Sequence, residues 1–414
     1  MAAGLKDMPE RALSAQLQAT FSASKADPVR LAAFERFQKT GLPHRRVEGW
    51  RWSDLNAALR DFVPANDGVS PIPPSKFSAL DPVEIQIVNG RIIRPTGTLP
   101  AGLHLDVIPA SATIPDLEGN SVVSLTVAMI TEALEIRVDA GVKLGQPILV
   151  RHIMQCGTMA FVQVAAHLGD GAEATIIETY EDIGAGQGGF YSSLFHSDIC
   201  AGATLKRRML QNTNADAVVH AMFAANLAGG AHLNQVGLST GGRLSRHETL
   251  AQYVGSEASA ELSSAALVDA SRHADFTSKI LHAASGCQTR QIHKGVARDK
   301  GRAVFQGKFD VQRVAQQTDA QMSADALLLS DTSEAYHKPE LEIYADDVQC
   351  AHGSTSGALD DDAMFYLRQR GLDEEMARSL LIEAFLGEVI DNLEEGEAPV
   401  FRDAIALWLK GQGA

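Results

Sequence analysis

The chain of 414 residues is poor in cysteine and in positive charge. Its four cysteines contain no CxxC pair and are widely spaced: Cys156, Cys200, Cys287 and Cys350. This spacing excludes a zinc ribbon and a self-contained ferredoxin-type cluster site. The net charge of −15 argues against binding to nucleic acids or anionic membranes, because both normally require a basic surface.

Long apolar runs are also missing. The longest, around Val122 to Ile130, is too short to span a bilayer, and the N-terminal segment has no apolar core of the signal-peptide type. We therefore predict a cytoplasmic protein that does not insert into membranes, with its cysteines reduced.

Motifs of common catalytic and nucleotide-binding sites are absent or broken. The sequence contains no GxSxG and no HExxH. GAGQGG, at 184–189, matches a dinucleotide-binding pattern, but the following FYSSLFHSDI alternates like a strand and offers no helix N-terminus. GRAVFQGKF, at 301–309, has one residue too many for a P-loop, and Phe309 stands where a hydroxyl must bind magnesium. We therefore expect neither a nucleotide site nor ATPase activity.

Short strand-like runs with frequent glycine fill the chain from about Asp81 to Tyr344. VFQGKFDV and PELEIYA alternate apolar and polar residues, as half-buried strands do. A glycine-alanine corner recurs at Gly171, Gly202 and Gly230, and separations of 31 and 28 residues suit the coils of a solenoid. We predict a mainly β fold with a right-handed parallel β-helix (β-solenoid) core. A large antiparallel sandwich is the alternative.

Helical patterns flank this β region. Asp27 and Pro28 indicate the start of an N-terminal helix, and Asp360 and Asp373 are candidate caps for the first two of three C-terminal amphipathic helices. These C-terminal helices would either cover an end of the solenoid or form a docking surface. The predicted regions are an N-terminal helical region and linker at 1–80, the β-helix core at 81–357 and a C-terminal helical region at 358–414.

The stretch DDVQCAHGSTSG contains the best candidate for a metal site. In an extended strand, Val348, Cys350 and His352 share one face, which places two metal-competent side chains together. A four-coordinate metal or a cluster needs more ligands, so the others must come from elsewhere in this chain or from another chain. Further histidines in this part of the chain could line a metal or proton path, although each one alone is more typical of a hydrogen-bonded or surface side chain: His273, His282, His293 and His337.

Ordered blocks between residues 280 and 390 resemble the SufB/SufD family of iron-sulfur cluster assembly proteins. They are VFQGKFDV, LLLS, KPELEIYADDVQCAHGSTSG, LDDDAMFYLRQRG and LLIEAFLGEVI. The N-terminal GLPHRRVEGWRWSDL and the CAHG motif resemble the SufD branch of that family. Ala351 departs from the serine that is common there, but it lies on the opposite strand face from Cys350 and His352.

The resemblance implies a non-catalytic scaffold that works with SufB-like subunits and a SufC-like ATPase, and that could form a homodimer in isolation. A transient iron-sulfur cluster would be shared with the SufB-like partner, and this chain alone would bind no cofactor stably. His352 would be a ligand, whereas Cys350 would be either a second ligand or a small buried residue. The ATPase would dock on the C-terminal helices through three candidate anchors: Phe385, Leu386 and Val389. The alternative role for these residues is burial against the β-helix.

Two other functions fit a β-helix. A carbohydrate-active enzyme would usually be secreted and would need an acidic or aromatic groove, whereas this chain has only three tryptophans. A structural β-solenoid would polymerise end to end, which helices covering both ends would prevent.

Overall fold

The computed structural model describes residues 15, 17–19, 21–22, 27–62, 70–110, 119–155, 157–184 and 188–411. Two long sheets face each other. Sheet A has ten strands and the spatial order β19-β17-β15-β13-β11-β9-β7-β5-β1-β2. Its strands are β1 (Val83–Val88), β2 (Arg91–Ile93), β5 (Ile148–Gln155), β7 (Glu173–Ile183), β9 (Thr204–Asn212), β11 (His232–Ser239), β13 (Ser259–Val268), β15 (Gln288–Ala297), β17 (Thr318–Leu328) and β19 (Val348–Gly357).

Sheet B has nine strands and the spatial order β18-β16-β14-β12-β10-β8-β6-β4-β3. Its strands are β3 (Leu103–Pro109), β4 (Glu132–Val138), β6 (Met159–Leu168), β8 (Phe190–Ile199), β10 (Val218–Leu227), β12 (Leu244–Tyr253), β14 (His273–His282), β16 (Arg302–Val311) and β18 (Glu334–Ile343). From β4 onward the chain alternates between the sheets, and each strand pairs in parallel with the strand one coil away. The fold is therefore a parallel β-solenoid, as predicted, and not an antiparallel sandwich.

The helices are α1 (Pro28–Thr40), α2 (Leu55–Ala58), α3 (Ser121–Met129), α4 (Asp361–Gln369), α5 (Glu374–Ile390) and α6 (Ala398–Leu409). The predicted caps are confirmed, because the carboxylates of Asp27, Asp360 and Asp373 each accept a hydrogen bond from a backbone N–H of the first turn. In the described part of the chain, no helix is long and apolar enough to cross a bilayer.

The glycine corners stack along the solenoid. Gly171, Gly202 and Gly230 have φ values of 66°, 64° and 67°, in the left-handed region that favours glycine. The N–H of Gly171 donates to a carbonyl at the next corner, and the N–H of Gly202 does the same one coil later, with distances of 2.8 and 2.9 Å. Gln317 occupies a later corner of the same kind at φ 59°. The recurring glycine-alanine motif in the sequence therefore corresponds to a recurring backbone turn.

Replacing Gly202 by alanine should destabilise the protein by about 1 kcal/mol, because a left-handed conformation costs an L-residue about 1–2 kcal/mol. A Cβ at Gly202 would meet no atom within 4 Å, so backbone strain is the whole effect. The measurement is the denaturant midpoint. Gly145→Ala is the matched control, because its Cβ also has open space and its φ is not positive. Equal midpoints for the two variants would contradict the strain argument.

Helix α3 corrects the prediction of an all-β region. The side chain of Asn120 caps it, and Val122 to Met129 are all buried between α1 and sheet B. Its sequence shows no helical period because it is apolar on every side, as a fully buried helix is.

The C-terminal helices do not cover an end of the solenoid. Helices α5 and α6 lie along the outer face of sheet A, where their apolar side chains form one buried cluster with strand residues such as Leu267 and Val296. The expectation that helices cover both ends is therefore wrong at the C-terminal end. The flanking helices share buried clusters with strands of both sheets, so packing alone does not separate them from the β-helix core. The domain boundaries at 80/81 and 357/358 therefore stay a prediction.

Strands follow both phosphate-loop look-alikes. GAGQGG lies partly outside the described residues, but β8 begins directly after it, and GRAVFQGKF lies within β16 except for its first residue. Neither segment precedes a helix N-terminus, so the rejection of a dinucleotide loop and a P-loop agrees with the fold.

Candidate metal-ligand site at the open end of the solenoid

The CAHG segment lies in β19, the last strand of sheet A. β19 pairs in parallel with β17, and its other edge has no partner strand in the described ranges. In this register Cys350 lies beside Ala320, and His352 lies beside Met322. The extended conformation predicted for this segment is therefore confirmed.

Cys350 and His352 continue columns of side chains that line the solenoid interior. Their neighbours Ala320 and Met322 are buried in the main core. No further coil lies over β19 in the described chain, so the interior opens to solvent at this end. Cys350 is half-buried beside Val311, whereas His352 is exposed. An imidazole that belongs to an inward column is thus left uncovered at the end of the stack.

The environment of Cys350 favours a neutral thiol. Burial raises its pKa, the nearby Asp319 raises it further, and a backbone hydrogen bond involving Ala320 only partly opposes them. A thiol must lose its proton to bind a metal ion, so this environment disfavours Cys350 as a ligand. Cys200, Cys287 and Cys350 are free cysteines, and Cys156 lies outside the described residues.

Cys350 and His352 belong to no larger cluster of metal-competent side chains in the described part of the chain. Among the residues that the structure describes, no group of three or more His, Cys, Asp or Glu side chains is arranged to hold a metal ion. A metal site at the CAHG segment stays a prediction, and it would need further ligands from elsewhere in this chain or from another chain.

Edge strand β18 carries features that limit indiscriminate strand pairing. Pro339 has no backbone N–H to donate, and proline in sheets is confined largely to edges. Lys308 and Lys338 form ion pairs with Glu342 and Glu340 at 2.6 and 3.0 Å, which adds charge along the same edge. Such devices protect an exposed edge from non-specific association while leaving it available to a complementary partner.

Two of the predicted docking anchors are buried. Leu386 and Val389 are 0% exposed in the cluster between α5 and sheet A, so the alternative role, packing on the β-helix, describes both. Phe385 is half-buried, and the Lys294 ammonium lies 4.9 Å from its ring centre. Lys294 also pairs with Glu388 of α5 at 2.8 Å, which holds the helix on the sheet.

Helices α4 and α5 expose a different set of apolar side chains from the predicted docking anchors. Phe365 is 65% exposed, and Tyr366, Met376 and Leu380 are 47–57% exposed. Sequence reasoning did not name them as candidate anchors, and the buried face of α5 contains Ile382 and not Leu380. The adjacent aromatic pair in DDAMFYLRQRG was the available signal, since large exposed aromatic residues are typical of interaction surfaces.

Three of the four other histidines noted in the sequence are buried and hydrogen-bonded: His273, His282 and His293. His273 contacts the Ser53 hydroxyl at 3.0 Å, and His282 contacts the Thr289 hydroxyl at 3.1 Å. Burial lowers the pKa of the His273 and His282 imidazoles to about 4, so both are neutral near pH 7. The hydrogen-bonded interpretation therefore describes all three histidines, and His273 and His282 lie away from the open edge.

Comparisons with known proteins agree with this geometry. Residues 152–385 match the family described as "SUF system FeS cluster assembly, SufBD core domain". The Escherichia coli (strain K12) iron-sulfur cluster assembly protein SufD is 31% identical over 385 residues, which cover 90% of each chain. A SufBD family iron-sulfur cluster assembly protein of Synechocystis is 27% identical over 381 residues, with 85% of this chain and 84% of the relative covered. With a matched core and a SufD relative aligned over nearly its whole length, this chain belongs to the SufB/SufD family of iron-sulfur cluster assembly proteins.

Proposed function

We propose that this chain is a non-catalytic, cytoplasmic scaffold subunit that supplies His352 to an iron-sulfur cluster built against a SufB-like subunit. The observation that carries the proposal is the position of His352, an exposed imidazole on an unpaired edge strand. The cluster is cargo that is assembled and released, and this chain binds no cofactor stably by itself. Ligands divided between two chains suit such a role, because relative movement of the chains opens the shell.

The open end is the surface that a SufB-like subunit would cover. β18 and β19 present unpaired backbone edges there, and edge strands pair readily with a strand from another chain. A sister β-solenoid has a matching strand spacing. In the absence of that partner, the same end could support a homodimer.

A SufC-like ATPase would dock on the C-terminal helices. The broken P-loop supports a requirement for nucleotide hydrolysis by another subunit. The exposed face with Phe365, Tyr366, Met376 and Leu380 suits this contact better than the buried Leu386 and Val389.

The two alternative functions are less compatible with the molecule. Indefinite end-to-end stacking needs parallel pairing at both ends, but the first strands, β2 and β3, pair antiparallel with their neighbours. A polysaccharide enzyme needs an acidic or aromatic groove. The most exposed large aromatic side chains of the described chain, Phe365, Tyr366 and Tyr344, do not lie along one face of the solenoid but on α4 and a corner.

Co-purification with candidate SufB-like and SufC-like subunits tests the proposal. We expect a complex of all three that holds iron and sulfide after anaerobic reconstitution, and little acid-labile sulfide on this chain alone. Phe365→Asp should release the ATPase and retain the SufB-like subunit, whereas Val29→Asp, an exposed apolar position on α1, should retain both. A chain that binds neither subunit, or that retains the ATPase equally in both variants, would contradict the corresponding part of the proposal.

A further inference from the structure

Two histidines lie edge to face inside the last coils of the solenoid. His293 comes from β15 of sheet A and His337 from β18 of sheet B. Their ring centres are 6.4 Å apart, and the ring planes are nearly perpendicular, at 83°. Both belong to the set of histidines noted in the sequence, and the proposed function uses neither of them.

Each of these imidazoles has a nitrogen atom that is not engaged. The Nε2 atoms of both His293 and His337 are buried and have no hydrogen-bond partner among the described residues. Buried polar atoms are nearly always paired, so two unpaired nitrogen atoms on facing rings need an explanation. A shared ligand between the rings supplies one.

Packing holds the His293 ring in place. It stacks on Phe305, with ring centres 4.9 Å apart and planes at 17°, and its Nδ1 lies 2.9 Å from the Ser264 hydroxyl. When Nδ1–H donates to that hydroxyl, the lone pair of Nε2 points away from Ser264 and is available. Metal-binding histidines are commonly oriented by such a hydrogen bond from the second ring nitrogen.

Both imidazoles are neutral near pH 7, which is the form that binds metal ions. Burial lowers the pKa of His293 to about 3, and the proximity of His337 adds to the effect. Burial also lowers the pKa of His337, against the opposing influence of Asp325. The lone pairs are therefore available for coordination at physiological pH.

The pair is reachable from the open end. His337 is half-buried, and it belongs to edge strand β18. Above His293, the inward positions in register on β17 and β19 are Ala324 and Ser354, which are both small. A small ion therefore meets no bulky side chain in that column on its way to His293.

We propose that Nε2 of His293 and Nε2 of His337 bind one divalent transition metal ion of the kind that prefers imidazole, such as iron(II), cobalt(II) or zinc(II). With metal–nitrogen distances of about 2.0–2.1 Å, the centres of two coordinated imidazole rings lie about 5.2–6.4 Å apart, depending on the angle at the metal. The observed separation of 6.4 Å equals the value for a linear nitrogen–metal–nitrogen angle, so the two rings must approach by about 1 Å to reach the tetrahedral geometry that zinc(II) adopts. Water, or a donor from a partner at the open end, completes the shell. The site does not depend on cluster binding by His352.

Cobalt(II) titration of the full-length isolated chain tests this site through its visible ligand-field absorption. We expect about one bound ion per chain. His337→Gln should lower the cobalt affinity by about tenfold or more, because mutating a residue that only hydrogen-bonds a metal ligand already lowers metal affinity by about that factor. Cobalt should also raise the melting temperature of the parent chain and not that of the variant. His232→Gln is the matched control, a half-buried histidine of β11 that bonds Ser259, and it should bind cobalt like the parent.

Three results would overturn the proposal: no cobalt binding by the parent chain, unchanged affinity in His337→Gln, or loss of binding with His352→Ala alone. X-ray absorption of the cobalt-loaded parent chain provides a measurement that needs no variant. Two imidazole ligands are expected, and a spectrum with fewer than two would overturn the site even if His337→Gln failed to fold. Because this experiment uses the isolated chain, its failure is separate from failure of cluster assembly in the complex.

Discussion

His352→Ala should lower the amount of iron-sulfur cluster assembled on the complex by about tenfold or more, because it removes a direct ligand. The chain should still fold and still bind its SufB-like partner. The imidazole is exposed on an edge strand, and substitutions at such positions usually change stability by less than about 0.5 kcal/mol. The measurement is iron and acid-labile sulfide per purified complex after anaerobic reconstitution.

Two neighbouring variants make the comparison specific. Ser354→Ala alters the next exposed inward position of β19 and should leave cluster yield unchanged. Cys350→Ala separates its two predicted roles, because a ligand role lowers the yield and a packing role does not. If the His352→Ala complex carried as much iron and sulfide as the parent complex, the assignment of His352 as a ligand would be wrong.

Arg207→Leu should cost about 3–5 kcal/mol of stability, because it leaves a buried carboxylate without its cation. Arg207 donates from Nε to Glu178 at 2.6 Å, and both side chains lie in the solenoid interior. Burial alone would raise the pKa of Glu178, but Arg207 and His152 outweigh it and hold the pKa below its usual value. Glu178 therefore stays charged in the fold, and Arg207 is its main compensation. The midpoint of denaturant unfolding measures the effect.

The double variant Arg207→Leu with Glu178→Gln should recover much of this loss, because the unpaired charge is gone. An exposed pair gives the matched control. Arg302 and Glu334 lie 2.6 Å apart but are each more than one-third exposed, so Arg302→Leu should cost about 0–1 kcal/mol. Similar midpoints for Arg207→Leu and Arg302→Leu would show that the interior pair does not depend on charge compensation.

Local signals in the chain predicted much of the fold. Asp27, Asp360 and Asp373 cap helices as expected, because a cap depends on hydrogen bonds within one turn. The corners at Gly202 and Gly230 were visible because each coil must repeat the same left-handed turn. The shared strand face of Cys350 and His352 was predictable because side chains alternate between the two faces of a strand.

The missed features depend on which surfaces meet. An amphipathic pattern shows that α5 has an apolar side, but the docking geometry on sheet A decided that Leu386 is buried and Leu380 exposed. The expectation that helices cover the C-terminal end of the solenoid was wrong for the same reason, because helices can pack beside a solenoid as well as over its end.

Contacts between side chains on different coils are the features that the sequence could not predict. His293 and His337 lie on separate strands of opposite sheets, and no local pattern indicates that their rings face each other. Backbone preferences and short-range hydrogen bonds act within a few residues, so the chain alone revealed caps, corners and strand faces. Contacts between coils and between sheets depend on the register of the whole stack, and so the tertiary structure decided the partners of Arg207, the histidine pair and the exposure of His352.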